Sequence, residues 1–422
     1  MKTNNSQLLY ANLQKQYSRK INLDLKRINL ALKKLDNIHN LIKNPINIIG
    51  SDGKYSTLKS LQHFIEANSE SVSTFTSPHL YDLRHRFWLK NKFISINELK
   101  KNIKIISKLK VKLTLFELLT LVYYLSASKL KKVSYALIEA GLFFAKDSTR
   151  VWNAPKFQII TNINKQHLDW IKPKNIEEIC KQKVGFLSKK TVIYIGKQDS
   201  KTLKIIKKIL KKNPSKKIFY GTDWSLKKIK NKIIYKDKKN KLILTSKKIF
   251  SRGIWENVGL AIKVALDLNI PKKKILTSVP NLAFEGRMQY LKKGKLRKLL
   301  FSKEELLIDG CHSNSSAKNL SSYLKTLNAE VYGIWGMQKN RDPRKFLQNF
   351  KGVFKKIVTI KIPNELNTCN PVELKKIADQ LKITSVTAPN INLAFKNISN
   401  NKKKVIVCFG SLYLVGSILG LN

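Results

Sequence analysis

The stretch GSDGKYST at residues 50–57 sets two glycines, a lysine and two hydroxyls between an apolar run, PINII, and the start of a helical pattern. A glycine turn between strand and helix aims backbone N–H groups and the positive helix end at an anion. Gly50 and Gly53 would shape such a loop, Lys54 would reach terminal phosphates, and Ser56 or Thr57 would offer a hydroxyl to a metal ion. Two residues disturb the pattern. Asp52 puts a carboxylate near the phosphates, and Tyr55 puts a ring where a small residue is usual. The spacing GxxxxGK followed by Ser or Thr is not met, so the stretch alone fits a phosphate loop or a plain strand–helix turn.

Other residues that could do chemistry stand at strand ends. Glu139 follows the apolar run YALI, at the place where α/β sheets gather their ligands, although a buried capping carboxylate would look the same. Asp309 and His312 lie in IDGCHSN, which by itself reads as a strand-end turn. Arg287 lies in FEGR, where a guanidinium can neutralise phosphate charge. His167 and Lys183 are ambiguous alone, one a candidate core or surface histidine and the other one lysine among many. Cys311 has nothing beside it that suggests a nucleophile and reads as a small buried thiol.

Alternating strands and helices must position these groups. Residues 1–44 read as helix, with Leu and Ile at spacings of three and four in NLDLKRINLALKKLDNIHNLI. INIIG, SVSTFTS, VSYALIEAG, FQIITNI and TVIYIG read as strands, separated by helical stretches such as STLKSLQHFIEA, TLFELLTLVYYLSAS and NIEEICKQKVGFL. That order predicts a parallel, doubly wound α/β sheet. Residues 197–250 are lysine-rich with short β-like pieces, followed by a helix in NVGLAIKVALDLNI. GRMQYLKKGKLRKLLFSKEE reads as a linker, after which α/β alternation restarts in a smaller unit.

At 422 residues the chain is long enough for two or three domains with cores of their own. No apolar window spans a membrane, and the first residues lack the apolar core of a secretory signal. Four dispersed cysteines without CxxC suggest neither a zinc site nor a disulfide framework, and a reducing cytoplasmic setting is expected. The formal charge of +55 comes from lysine spread along the chain among abundant Asn and Ile. Clustered arginine would mark a nucleic-acid face, so the lysines are read as AT-rich codon composition that also favours anionic small substrates.

Read in order, GSDGKYST (50–57), TSPHL (76–80), TLFE (114–117), IEAG (138–141), HLDW (167–170), KVGF (183–186), EGR (285–287), IDGCHSN (308–314) and FGSLYLVG (409–416) form a series. The series resembles the folylpolyglutamate synthase/dihydrofolate synthase family, within the Mur ligase superfamily, over most of the chain. TSPHL and GSLYLVG are its most specific pieces. The resemblance implies an α/β fold with an N-terminal P-loop-type Mur ligase central domain, residues 1–290, and a C-terminal Rossmann-like Mur ligase domain, residues 291–422. It implies an ATP-dependent ligase that phosphorylates a folate-precursor carboxylate and lets the amine of L-glutamate displace the phosphate, in a cleft that closes on ATP. The acceptor would be dihydropteroate, a reduced folate or both.

By the same resemblance Ser77, Glu139 and His167 stand at magnesium-ligand positions, and Lys183 at a lysine that the family carbamylates. Gly50, Gly53, Lys54, Ser56, Thr57, Asn257, Arg287, Asp309 and His312 stand at ATP-binding positions, and Glu117 and Asp147 at pteroate-binding positions. Lys54, Lys183 and His167 are the catalytic candidates. ATP, Mg²⁺ with K⁺ as an optional further ion, a monomeric cytoplasmic enzyme, and no membrane or nucleic-acid partner complete the expectation.

The departures fall in functional loops. The usual GTNGKGS has Asp52 for its Asn and Tyr55 for the Gly after its lysine. GLGGRLDATN is here GLFFAKDSTR, so Phe143 and Phe144 replace glycines and Ala145 replaces an arginine expected to face substrate. Gln166 replaces the Asp that precedes the metal histidine, and DGAHNP has become DGCHSN. A catalytically impaired folate- or nucleotide-binding relative, or another Mur-type amino-acid ligase, are the alternative readings.

Overall fold

In a computed structural model of the chain the described residues are 5–17, 24–229 and 232–422. They form two compact units, one of residues 1–246 with 254–282, the other of residues 247–253 with 283–422. The segment expected to be a linker, residues 286–304, therefore lies inside the second unit.

In the first unit the helical periodicity of residues 1–44 is broken. It resolves into α1 (Asn5–Gln16), α2 (Lys26–Lys33) and a tighter turn, Ile38–Leu41, because Asp36 and Asn37 take left-handed backbone angles that end the helix. Residues 18–23, including Asn22 and Leu23 of the motif, lie outside the described residues. Next come β1 (Pro45–Ile49), α3 (Lys54–Ala67), β2 (Val72–Phe75), β3 (Phe87–Leu89), α4 (Ile96–Ser107), α5 (Leu115–Ala127), β4 (Tyr135–Glu139), β5 (Phe157–Ile160), α6 (Ile176–Val184), β6 (Val192–Ile195), α7 (Ser200–Leu210) and β7 (Lys217–Phe219).

The sheet order is β3-β2-β4-β1-β5-β6-β7, parallel except for the edge strand β3, which runs antiparallel to β2. The sheet is thus mixed, not wholly parallel as the alternation predicts. Its central strand, β1, is buried along its whole length between β4 and β5, which is why it reads as a continuous apolar run. From β1 the chain first builds one wing, through β2 and β3, and later the other, through β5 to β7. The carboxyl ends of β1, β4 and β5 flank that reversal, the position where open α/β sheets bind ligands.

Helix α5 packs into one apolar cluster with α2, α4 and β2, and its start is fixed by a Thr114–Glu117 capping box. A second cluster joins β5, β6, α6 and α7 and takes in Phe143 and Phe144. The lysine-rich stretch contains α7, unrecognised in the sequence, then β8 (Trp224–Ile229), β9 (Lys232–Asp237) and β10 (Lys241–Leu244), an antiparallel sheet of three strands. Two helices follow, α8 (Arg252–Asp267) and α9 (Lys272–Ser278).

In the second unit β11 (Gln289–Tyr290) pairs antiparallel with β12 (Glu304–Asp309). Then follow α10 (Asn314–Leu324), β13 (Glu330–Trp335), α11 (Pro343–Leu347), β14 (Lys356–Thr359), α12 (Pro371–Gln380), β15 (Ser385–Thr387), α13 (Ile391–Lys396), β16 (Lys404–Phe409) and α14 (Leu412–Leu421). The order β11-β12-β16-β13-β14-β15 is again mixed, with five strands parallel. The first residues of β12 and β16 form a fully buried Glu304–Lys404 ion pair at 3.6 Å. Ser399 and the Asn400 N–H donate to the same carboxylate, so its lone pairs are matched.

Candidate active site

Loop 50–53 leaves β1 and turns into α3 through Gly53, which has φ +90° and no room for a side chain: a Cβ there would run into the Asn257 amide. Asn257, on α8, donates to Ser56 Oγ at 2.8 Å, and Ser56 donates to Gly53 O at 3.1 Å. Gly50, Gly53, Ser56 and Asn257 are thus brought together as one loop-and-helix corner. Of the two candidate hydroxyls Thr57 points into the core, fully buried and without a hydrogen-bond partner among the described residues, whereas Ser56 stays in the corner.

Lys54 folds back over its own loop, donating to the carbonyls of Gly50 and Ser51 at 3.3 Å each. Its Nζ also lies 3.9 Å from Glu139 Oε1, at the end of the neighbouring strand β4. The other oxygen of Glu139 accepts the Ser77 N–H at 3.1 Å. Lys54, Glu139 and Ser77 therefore meet at the carboxyl ends of β1, β4 and β2, where their strands put them. His167 stands after β5 with φ +60°, its ring edge-on to Phe143. Among the described residues no three His, Cys, Asp or Glu side chains converge as a metal cage. One carboxylate, a serine and a histidine suit a hard divalent ion that takes most of its oxygens from water and phosphate.

Lys183, near the end of α6, is fully buried, and its Nζ donates to Gly50 O at 2.9 Å and Leu142 O at 2.6 Å. Burial, reinforced by the nearby Lys54 charge, pulls its pKa down to about 7. It thus touches both the phosphate loop and the loop after β4. Phe143 covers it from the side, with Nζ 5.4 Å from the ring centre.

Both candidate pteroate residues already hold structure together. Glu117 accepts the Thr114 N–H at 2.7 Å and pairs with Arg27 on α2 at 3.0 Å. Asp147 is buried and accepts four donors: the N–H groups of Gly141, Leu142 and Thr149, and the Thr149 hydroxyl. Burial outweighs those donors and pushes its carboxyl upward. Beside this loop a cavity of about 250 Å³ is lined by Asp24, Leu25, Ala145, Lys146, Arg150 and Phe186. Arg150, which the sequence reading passed over, lies 5.4 Å from the Phe186 ring and faces the same cavity as Ala145.

In the second unit Asp309 ends β12, accepts the N–H groups of Met288 and Cys311 at 2.8 and 2.7 Å, and is pushed upward by burial. The Arg287 charge acts on it in the opposite sense. Gly310 packs closely beside them: a Cβ there would crowd the Leu412 side chain and Arg287 Nη1. His312 Nδ1 lies 2.9 Å from Gly310 O. Arg287, Asp309 and His312 thus share one strand-end corner of this unit.

Residues 48–265 match the Mur ligase middle domain, and residues 292–421 match the dihydrofolate synthetase C-terminal domain. The chain belongs to the dihydrofolate synthase/folylpolyglutamate synthase family of Mur ligases. A curated relative, the dihydrofolate synthase/folylpolyglutamate synthase of Buchnera aphidicola subsp. Schizaphis graminum, is 23% identical over 96% of this chain and 94% of its own length. Among solved structures, Escherichia coli FolC in complex with DHPP and ADP aligns at a TM-score of 0.85 and 18% identity, over 98% of this chain and 96% of that one. The bifunctional folylpolyglutamate synthase/dihydrofolate synthase of Yersinia pestis, complexed with AMPPNP and Mn ion, aligns at 0.85 and 18% identity, over 99% and 98%. The chain spans nearly the whole length of each of these relatives.

Proposed function

We propose that the chain is an ATP-dependent ligase that joins L-glutamate to dihydropteroate, to a reduced folate, or to both. The observation that carries this reading is the convergence of Lys54, Glu139 and Ser77 at the ends of adjacent strands, on a glycine loop that opens α3. Two relatives of the same fold, whose structures hold DHPP with ADP and AMPPNP with Mn ion, support the choice of ligands.

In this reading the acceptor carboxylate attacks the γ-phosphorus of ATP, and ADP leaves. The glutamate amine then attacks the acyl carbon, phosphate departs and the amine loses a proton. Gly50, Gly53, Ser56 and Asn257 shape the phosphate seat, and Lys54 neutralises charge on the transferred group. Arg287, Asp309 and His312 form the nucleotide corner of the second unit. Ser77, Glu139 and His167 would hold a divalent cation such as Mg²⁺, which neutralises phosphate charge when bound. Asp147 and Glu117 act by shaping the acceptor pocket, and Arg150 supplies there the cation missing at Ala145.

Lys183 is the candidate for carbamylation. A pKa of about 7 leaves much of the amine neutral at neutral pH, the form that adds to CO₂ and releases a proton. A cytoplasmic monomer completes the proposed reading. Among the described residues no helix is long and apolar enough to cross a membrane.

The test is ADP release by the purified protein with ATP, Mg²⁺, L-glutamate and either dihydropteroate or tetrahydrofolate. Release that needs both glutamate and a pteroate acceptor supports the reading. Release with a muropeptide acceptor instead would point to another Mur-type ligase.

A further inference from the structure

Asp52 and Gln166 are two separate departures from the family pattern, and in the fold they touch. Gln166 Nε2 donates to Asp52 Oδ1 at 3.0 Å, and Asn164 Nδ2 donates to Asp52 Oδ2 at 2.8 Å. Both carboxylate oxygens are therefore received by amides carried on the segment that leads to His167. Around them the backbones are stitched as well. The N–H groups of Ser51 and Asp52 donate to Asn162 O, and Thr161 Oγ1 donates to Asp52 O at 2.7 Å. Ser51 Oγ accepts the Asn164 N–H at 3.1 Å.

This arrangement answers the electrostatic objection to an acid in a phosphate loop. The charge is turned toward two amide donors. Charge-assisted hydrogen bonds are about twice as strong as neutral ones, so the contact fixes the loop more firmly than an amide pair would. The family pattern has the amide at position 52 and the acid at position 166, whereas here acid and amide have changed places. An acid–amide contact works in either direction. Two acids repel, and two amides lose the charge.

We infer that Asp52 is a positioning residue for the ligase reaction: held by Gln166 and Asn164, it locks the phosphate loop against the segment bearing His167, and it forms with Gln166 an acid–amide pair whose members are interchangeable. The inference rests on the ligase reading for its kinetic consequence. Its geometric part stands without that reading.

A double-mutant cycle with isosteric changes tests it. Asp52→Asn loses one charge-assisted bond and is expected to lower kcat about tenfold. Gln166→Glu sets two carboxylates in contact and is expected to lower kcat about a hundredfold. The double variant restores the pair in reverse and should return to within about threefold of the wild type. The KM for glutamate should stay unchanged throughout, and unfolding midpoints like the wild type's show that the kcat losses are not losses of folded protein. Affinity for ADP, titrated calorimetrically on the same proteins, should fall in each single variant and recover in the double. If Gln166→Glu does not fold, Asn164→Ala removes the other donor and should cost about fivefold in kcat. Single variants that behave as wild type, or a double variant as poor as the two losses combined, would overturn the inference. If the wild type shows no turnover, the ligase reading falls, and the ADP titrations still decide the fate of Asp52.

Discussion

The loop after β1 and the loop after β4 both depart from their family patterns, but the fold absorbs the two sets of changes by different physics. In residues 50–57 the unusual residue that matters is polar, and its charge is met by two amide partners. In residues 141–150 the unusual residues are apolar, and Phe143 and Phe144 are buried in the cluster of β5, β6 and α6. The rings fill core volume, and Asp147 keeps the loop closed through its four donors. A polar change near the reacting groups needs a matched partner, and an apolar change needs only space. Lys183 joins the two loops, with one bond to each.

The comparison breaks first if the phosphate loop does not serve catalysis. Lys54→Ala should lower kcat about a thousandfold, the scale of losing a charge aimed at the transition state, with thermal unfolding little changed. Phe143→Gly should act in the opposite manner. It should cost about 3 kcal/mol or more of stability in chemical denaturation, because a buried ring leaves a cavity.

The joining residue gives a pH signature. In the folded chain Lys183 titrates near 7, and unfolding returns it toward its ordinary 10.5. Between those values the unfolded chain binds the extra proton, so this group makes stability rise with pH by up to about 1.4 kcal/mol per unit. Below 7 the amine is charged in both states, and its burial penalty is felt in full. Lys183→Met should flatten that rise in denaturation midpoints measured from pH 7 to 10. The smallest effect is expected at Tyr55, the second residue of α3. Tyr55→Gly should leave kcat within about threefold of wild type, since glycine near a helix start costs no more than about 1 kcal/mol. A complete loss would show that the ring has acquired a role of its own.

Strand–helix alternation made the two α/β units readable, because apolar runs such as PINII record burial on both faces, and the motif series supplied the candidate site residues. Helix α7 was hidden by its lysines. Its buried Thr202, Ile206 and Leu210 keep a spacing of four, with Ile205 and Ile209 partly buried beside them, but its lysines fill the exposed positions. The antiparallel edges β3 and β11 are only three and two residues long, too short to leave a pattern. Glu117 and Asp147 were legible as important acids, but their partners Arg27 and Gly141 were not, since no local periodicity records a tertiary hydrogen bond. Asp52 and Gln166 show the same limit: each was visibly odd, and only the fold shows that they are one feature.

The most direct measurement of the central claim is single-turnover product analysis with ATP, Mg²⁺, dihydropteroate and L-glutamate. A ligase yields one ADP for each new glutamyl amide, and none when glutamate or the pteroate acceptor is omitted. Folded protein that binds ADP yet forms neither ADP nor amide, with dihydropteroate or with tetrahydrofolate, would contradict it.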